Sequence, residues 1–264
     1  MTFRASIYSL IAVLSLASQP VLSFEGFLEP LQTVDITAAE TGVLSTLSVS
    51  EGAEVKAGDV LAVLDSRLIE ASLKVAKAKK NSTATILGAS AEWEVSKNKL
   101  AQFEKLYAAG NARKDELVRA DLDEKIVAAK LARAREQKEI LELEYQRIQM
   151  QIEQRIIRSP INGVAVTVNR EAGELVSASH GPFIRIVDIS QLKFITNIPQ
   201  QDARKINRGD EVSIGLDAEG EKLTGKVEYV SQIIDPTSNT VKVSVNLENP
   251  GGVRSGNAGR LLLQ

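Results

Sequence analysis

One stretch of this chain occurs twice, and the two copies are held apart by a long segment with helical periodicity. Residues Gly42 to Gly58, GVLSTLSVSEGAEVKAG, return 121 residues later as Gly163 to Ser179, GVAVTVNREAGELVSAS, with six of the 17 positions identical. Ordinary composition gives roughly one match by chance. The likeness continues upstream, where 36–41 aligns with 157–162, and downstream, where 60–65 aligns with 183–188 after a two-residue insertion. Each copy alternates short apolar runs with glycines, and Gly42, Gly52, Gly58, Gly163 and Gly173 are read as structural turn positions. Neither copy can bury its apolar face alone. The expected solution is one small β-domain made by pairing the two halves face to face, with everything between them inserted.

The insertion carries a 4-3 spacing of seam positions. In the first arm these are Leu68, Ser72, Val75, Lys79, Ser82, Ile86, Ala89, Trp93, Ser96, Leu100, Phe103 and Tyr107. In the second they are Leu117, Ala120, Glu124, Val127, Leu131, Ala134, Lys138, Leu141, Tyr145, Ile148 and Ile152. Gly110-Asn111 stops the first arm, and Asp115-Glu116 suits the first turn of a second helix. An antiparallel coiled-coil hairpin follows, with arms of roughly 60 Å at 1.5 Å per residue. Polar residues at seam positions, with Gly88 inside the first arm, predict a slender and locally loose hairpin. Its tip, around Lys105, Leu106, Tyr107 and Arg113, adds little to folding but is where an extended arm meets a neighbour. Leu106 offers an apolar contact there and Arg113 a planar, multi-donor charge. The plainer alternative is a solvated spacer.

After Asp188, alternating runs at 192–198, 212–216, 225–233 and 241–247, with turns at 207–210, 217–220, 235–237 and 249–251, read as a small β-barrel. Residues 200–206 form a short helical candidate. At the N-terminus, Arg4 precedes an apolar run of 11 residues, Ile7 to Ala17, and Val21-Leu22-Ser23 suits a signal peptidase. The run is short for a membrane span, which needs roughly 20 residues. Cleavage after Ser23 is expected, with retention as an anchor the alternative. The chain has no cysteine, so it is neither a cysteine-anchored lipoprotein nor disulfide-bonded, and an exported protein of this kind fits a bacterial periplasm. A net charge of −2 argues against nucleic acid as a partner, because phosphate binding needs a concentrated positive field.

The succession of Gly42-Val43, Gly52-Ala53-Glu54-Val55-Lys56-Ala57-Gly58-Asp59, a coiled coil, and Arg158-Ser159-Pro160-Ile161-Asn162-Gly163 resembles the membrane fusion proteins of efflux and type I secretion pumps. That family comprises periplasmic adaptors, including HlyD-type and RND-pump subunits. Gly209-Asp210-Glu211-Val212 and Ser255-Gly256-Asn257-Ala258-Gly259 resemble turns of its barrel domain. The resemblance implies a mixed α and β multidomain protein. Its expected parts are a signal peptide over 1–23, a lipoyl-like barrel-sandwich hybrid over 24–66 and 157–190, a hairpin over 67–156, and a barrel over 191–264. It implies an adaptor, peripheral to the inner membrane, between an inner-membrane transporter (RND type favoured, ABC the alternative) and an outer-membrane channel. It also implies a trimeric or hexameric ring of copies, and expects no membrane-proximal fourth domain. Members that dock TolC-type channels often show Arg, Leu and Ser around the hairpin turn. Leu106 matches, whereas Gln102 and Arg113 replace the Arg and Ser.

No catalytic set stands out. A lipoyl or biotinyl carrier needs a modified lysine on the turn linking its halves, and neither Lys56 nor Lys74 lies in such a motif, so no cofactor is expected. His180 is a lone loop histidine, and with Met150 it is too little for a soft-metal site, so no metal is expected. Asp121 with Asp123 and Glu142 with Glu144 read as solvated helix faces balanced by nearby Lys and Arg. The protein is expected to act by geometry and not as an enzyme.

Overall fold

The computed structural model describes residues 22–216, 222–249 and 252–263. The expected signal segment, apart from its last two residues, and the turn positions 217–220, 250 and 251 lie outside the described residues. The chain divides into two compact units, 34–186 and the set formed by the N-terminal strand to 33 with 187–263.

In the first unit the two repeats do form one β-domain, and they do so by exchanging strands. Its strands are β2 (Gly42–Leu47), β3 (Glu54–Val55), β4 (Val60–Leu64), β5 (Ile156–Arg158), β6 (Gly163–Val168) and β7 (Leu175–Val176), with the start of β8 (Ile184–Pro199). Val55 pairs with Gly163 and Glu54 with Val164. In reciprocal fashion Val176 pairs with Gly42 and Leu175 with Val43. The hydrogen bonds repeat the exchange: Gly52 N donates to Ala165 O as Gly173 N donates to Leu44 O, both at 2.8 Å. Every partner maps onto its counterpart at an offset of 121 residues, so the domain has a local two-fold written in sequence. Leu44, Leu61, Leu64, Ala165, Ile184 and Ile186 fill the shared core, each 1% exposed or less. Full burial of each Leu or Ile contributes roughly 1.5–3 kcal/mol. At the surface Arg185 grips Asp35 through two bonds of 2.6 and 3.0 Å and holds its carboxyl below the ordinary range.

Between β4 and β5 run α1 (Arg67–Asn81), α2 (Ala84–Ala108) and α3 (Lys114–Glu153). All eleven seam positions expected in α3 point inward to some degree, with Ala120, Leu131, Ala134 and Ile148 fully buried. In α2, Ile86, Ala89, Trp93, Ser96, Leu100 and Phe103 do likewise, while Tyr107 is exposed. Expectation fails in α1. Leu68 and Val75 are 81% and 57% exposed, and the inward positions are Ile69, Leu73, Ala76 and Lys80, one residue later. The cause is a break at Ser82-Thr83, where Ser82 turns to extended backbone (ψ 124°). That break shortens the spacing between Lys80 and Ile86 and resets the phase to match the uninterrupted α3. Lys138 faces the break from α3 and its ammonium donates to the Lys80 carbonyl, satisfying an acceptor that the interrupted helix cannot. Around it the seam is held by polar links. Trp93 Nε1 donates to Glu124 at 2.7 Å, Lys80 pairs with Glu142 at 3.2 Å and stacks over Tyr145, and Lys99 pairs with Asp123 at 3.2 Å.

The second unit closes on itself. Its strands are β1 (Leu22–Ile36), β9 (Glu211–Leu216), β10 (Lys222–Asp235), β11 (Thr240–Glu248) and β12 (Ala258–Leu263), together with β8. They follow the order β1-β12-β9-β10-β11-β8, and β1 also pairs with β8. A six-stranded barrel results, packed with Leu28, Phe194, Ile198, Ile214, Val243 and Leu261. The helical candidate after β8 is a single turn, α4 (Gln200–Ala203). Residues 24–33, which the sequence reading placed in the split domain, group with the barrel instead. Phe24 and Gly26 pair with Leu261 and Gly259 of β12, and Thr196 Oγ1 donates to Glu25 O at 2.6 Å. Gly26 is what lets β1 approach β8, because a Cβ there would lie 2.3 Å from the Ile195 carbonyl. Without that strand the barrel would have an open edge.

Candidate functional site

The hairpin turn is built by its caps. Asn111 N donates to Leu106 O at 2.8 Å and Gly110 N to Tyr107 O at 3.0 Å, with Gly110 at φ 74°. This pair of bonds is a Schellman motif, which satisfies the last carbonyls of α2 and needs a residue comfortable at positive φ. On the return side Glu116 Oε2 accepts from Arg113 N at 2.8 Å, one half of a capping box, and Asp115 and Glu116 sit in the first turn of α3. The turn is therefore rigid for its own local reasons, independent of any core. The four expected tip residues come together here. Lys105, Leu106 and Tyr107 occupy the last turn of α2, Arg113 is the N-cap of α3, and all four are exposed. Leu106 and Tyr107 are 37% and 44% exposed, apolar surface held outward at the end of the 25-residue α2.

At the other end, Arg155 fastens the hairpin to the β-domain. Its Nη1 donates to the Asp65 carbonyl at 3.2 Å and its backbone oxygen accepts from Leu64 N at 2.9 Å. Its Nε lies 3.0 Å from Glu40 Oε2, near enough for charge attraction though not aligned as a hydrogen bond. Gly42 lies beneath the guanidinium, and a Cβ there would be 2.8 Å from Nη1. Gly42 begins β2 and is not among the glycines at positive φ, so it is a strand position and not a turn. Gly163 likewise starts a strand, paired with Val55. Gly52, Gly58 and Gly173 do take positive φ. Beside this root Asp65 receives Arg67 through its side chain at 2.7 Å and through the Arg67 backbone N–H at 3.1 Å, which lowers its pKa to about 2.

The other residues weighed from sequence lie apart. Lys56 is exposed after β3, Lys74 is exposed on α1, and His180 is exposed in a 3-10 turn over Ala178–His180. Met150 is 62% exposed on α3. Among the described residues no three His, Cys, Asp or Glu side chains gather as a metal site, and no helix is long and apolar enough to cross a membrane. Asp121 pairs with Lys125, Asp123 with Lys99 and Glu142 with Lys80, as the balanced helix face predicts. Arg155 and the Ser82-Thr83 break were missed in sequence. Two adjacent small hydroxyl residues at the seam were the only signal for the break. Nothing local marks Arg155, since its partners lie 90 and more positions away.

Comparisons with known proteins agree with this geometry. The family described as "RND MFP, barrel-sandwich hybrid domain" matches residues 32–188, and "CusB-like, beta-barrel domain" matches 195–263. The "Efflux pump periplasmic linker BepF" of Brucella suis is 27% identical over 248 residues, covering 89% of this chain and 57% of that protein. The "Multidrug resistance protein MdtA" of Xenorhabdus bovienii is 24% identical over 237 residues, covering 86% and 54%. This chain thus spans about half the length of the curated relatives it matches. Among solved structures, MacA from Actinobacillus actinomycetemcomitans superposes with a TM-score of 0.79 at 24% identity, over 92% of this chain and 78% of that one. It shares the fold.

Proposed function

The chain belongs to the RND membrane fusion protein family, and from that premise we propose that it is the periplasmic adaptor of a tripartite efflux pump. In this reading it is exported by its N-terminal segment, carries no lipid, cofactor or catalytic group, and links an inner-membrane transporter, RND type favoured, to an outer-membrane channel. Several copies enclose the path in a trimeric or hexameric ring. The observation that carries the reading is the separation of tasks within the first unit. A stable β-domain anchors the hairpin through Arg155, and the far end displays Leu106, Tyr107 and Arg113 on a turn whose caps make it rigid. Names such as "efflux pump periplasmic linker" among the relatives support the same role here.

The test is export in cells of the native host carrying Leu106→Asp with Arg113→Glu. Both positions are exposed, so stability should change by no more than about 0.5 kcal/mol, and circular dichroism and thermal unfolding should stay as in the wild type. Loss of export at normal protein levels supports docking through the tip. Full export by the same variant shows that the tip is a spacer and that partner recognition lies in the β-domains.

A further inference from the structure

The hairpin has two outer faces, and they differ in size and in charge. Each lies two residues beyond the inward positions of its helix, about 200° round at roughly 100° per residue. On α3 this face is large and apolar: Leu122, Ile126, Ile140, Leu143 and Met150 are between 56% and 62% exposed. On α1 and α2 it is small. Ala71, Ala78, Gly88 and Ala91 stand there with Val75 and Val95 between them, all exposed, and a Cβ at Gly88 would meet nothing within 4 Å. α1 carries five basic side chains and one acidic, whereas residues 136–153 of α3 carry five acidic and two basic. Among the described residues, nothing bonds or pairs with the exposed side chains of Lys77, Lys79, Glu136 and Glu139. So large an apolar stripe marks a face that another protein covers.

Contacts across the seam fix which residues share a height. Glu92 and Trp93 stand level with Lys130 and Glu124, and Lys80 with Lys138 and Glu142. Ala91 and Val95 therefore bracket Ile126, and Val75 and Ala78 bracket Leu143. Lys77 and Lys79 lie near the height of Glu136 and Glu139.

We propose that the α3 face of each copy packs into the α1–α2 face of the next, with both hairpins pointing the same way. The inference rests on the ring of copies proposed above and assigns the residues that join them. Closure by rotation allows no shift along the axis, so residues of equal height meet. Ile126 then enters the hole between Ala91 and Val95, and Leu143 that between Val75 and Ala78, as knobs of one helix fill holes of another. The bases of α1 face the acids of α3. Complementarity at equal height selects a second copy as the occupant, because the two matching surfaces are the two flanks of one hairpin. Neither flank matches itself: α3 on α3 sets large on large and acid on acid, and α1 on α1 sets base on base. Each copy thus keeps one unlike face free for the next, which builds a ring and not a closed pair. All tips stay at one end.

The cysteine-free chain makes the test direct. Two height-matched variants, Ala91→Cys with Ile126→Cys and Val75→Cys with Leu143→Cys, are oxidised in exporting cells of the native host. Their paired positions lie on opposite flanks of one hairpin, so any link joins copies. Both should give a ladder of linked copies that ends at the size of the ring. Val75→Cys with Ile126→Cys, mismatched in height, should give none, and neither should any of the four single changes. In the Ala91/Ile126 background, Lys77→Glu with Lys79→Glu should lower the ladder about tenfold, and adding Glu136→Lys with Glu139→Lys should restore it. Export before oxidation verifies that each variant folds. The proposal is overturned by absence of a ladder from both matched variants, by a ladder from the mismatched one, by self-linking of Ile126→Cys or Leu143→Cys, or by failure of the fourfold exchange to rescue. Normal export without a ladder overturns this pairing and leaves the adaptor reading intact. A ladder in cells whose export survives deletion of the chain overturns the adaptor reading and supports the pairing.

Discussion

Replacing Gly26 by alanine should unfold the barrel far more readily than so small a change suggests. The added Cβ would lie 2.3 Å from the Ile195 carbonyl, 2.6 Å from Phe194 Cζ and 2.9 Å from Thr196 Cβ. Phe194 is fully buried and Thr196 is 2% exposed, tied to Glu25 by its hydroxyl. None of the three is the free end of a flexible side chain, so relief requires β1 to move off β8, which opens the barrel where it closes. Overpacking costs about 1–3 kcal/mol, and a backbone obstacle argues for the upper end, about 3 kcal/mol. For a domain near 100 residues each kcal/mol shifts the midpoint by about 4 °C or more, so a fall of about 12 °C is expected. Gly215→Ala is the control. It lies on β9 of the same barrel, its Cβ would touch only Leu262 Cδ1 at 3.9 Å, and removing a strand glycine gains about 0.5–1 kcal/mol. Differential scanning calorimetry of the two variants should separate them clearly. Equal midpoints would refute the reasoning and with it the place of residues 22–33 in the barrel.

Gly88→Ala, in the second turn of α2 with open space where its Cβ would go, should stabilise the hairpin by about 1 kcal/mol; a loss of helical signal or of thermal stability would contradict the geometry. Asp65, held at a pKa of about 2 chiefly by the Arg67 side-chain bond and then by the Arg67 N–H, should titrate at that pH by carboxyl NMR and move up towards the usual carboxylate range, about 4, in Arg67→Ala. Its pKa is depressed, so the stabilisation is present above about pH 4 and is lost as pH falls towards 2. A midpoint near 4 in the unmodified protein would mean that the Arg67 contact is not held in solution.

Much of this architecture could be read from residues alone, and the failures have physical causes. The repeat survives as sequence because its strands exchange partners reciprocally. Whatever suits Gly42 against Val176 suits Gly163 against Val55, and both copies keep the pattern. The seam of α3 was legible from end to end because that helix is unbroken. In α1 the same template slipped by one residue, since periodicity carried across Ser82-Thr83 assumes a continuous helix. β1 was misplaced because its role rests on a close approach to β8, some 170 positions away. A single glycine in a short apolar run does not announce such an approach. At the tip, Gly110-Asn111 and Glu116 predict the caps outright, because capping is local chemistry. Arg155 depends on Glu40, Gly42 and Asp65 together, and only the folded chain brings those four residues to one point.

The central claim, that the hairpin tip reaches an outer-membrane partner while the chain serves an efflux pump, is tested most directly by placing a photo-crosslinking residue at Tyr107, 44% exposed beside the turn. Cells of the native host are irradiated during export, and the crosslinked species are identified by mass spectrometry. The predicted result is an outer-membrane channel protein captured from position 107 but not from a probe at Val166, 43% exposed on the β-domain. Capture of no envelope protein from position 107 in exporting cells, or of the same partner from both positions, would contradict it.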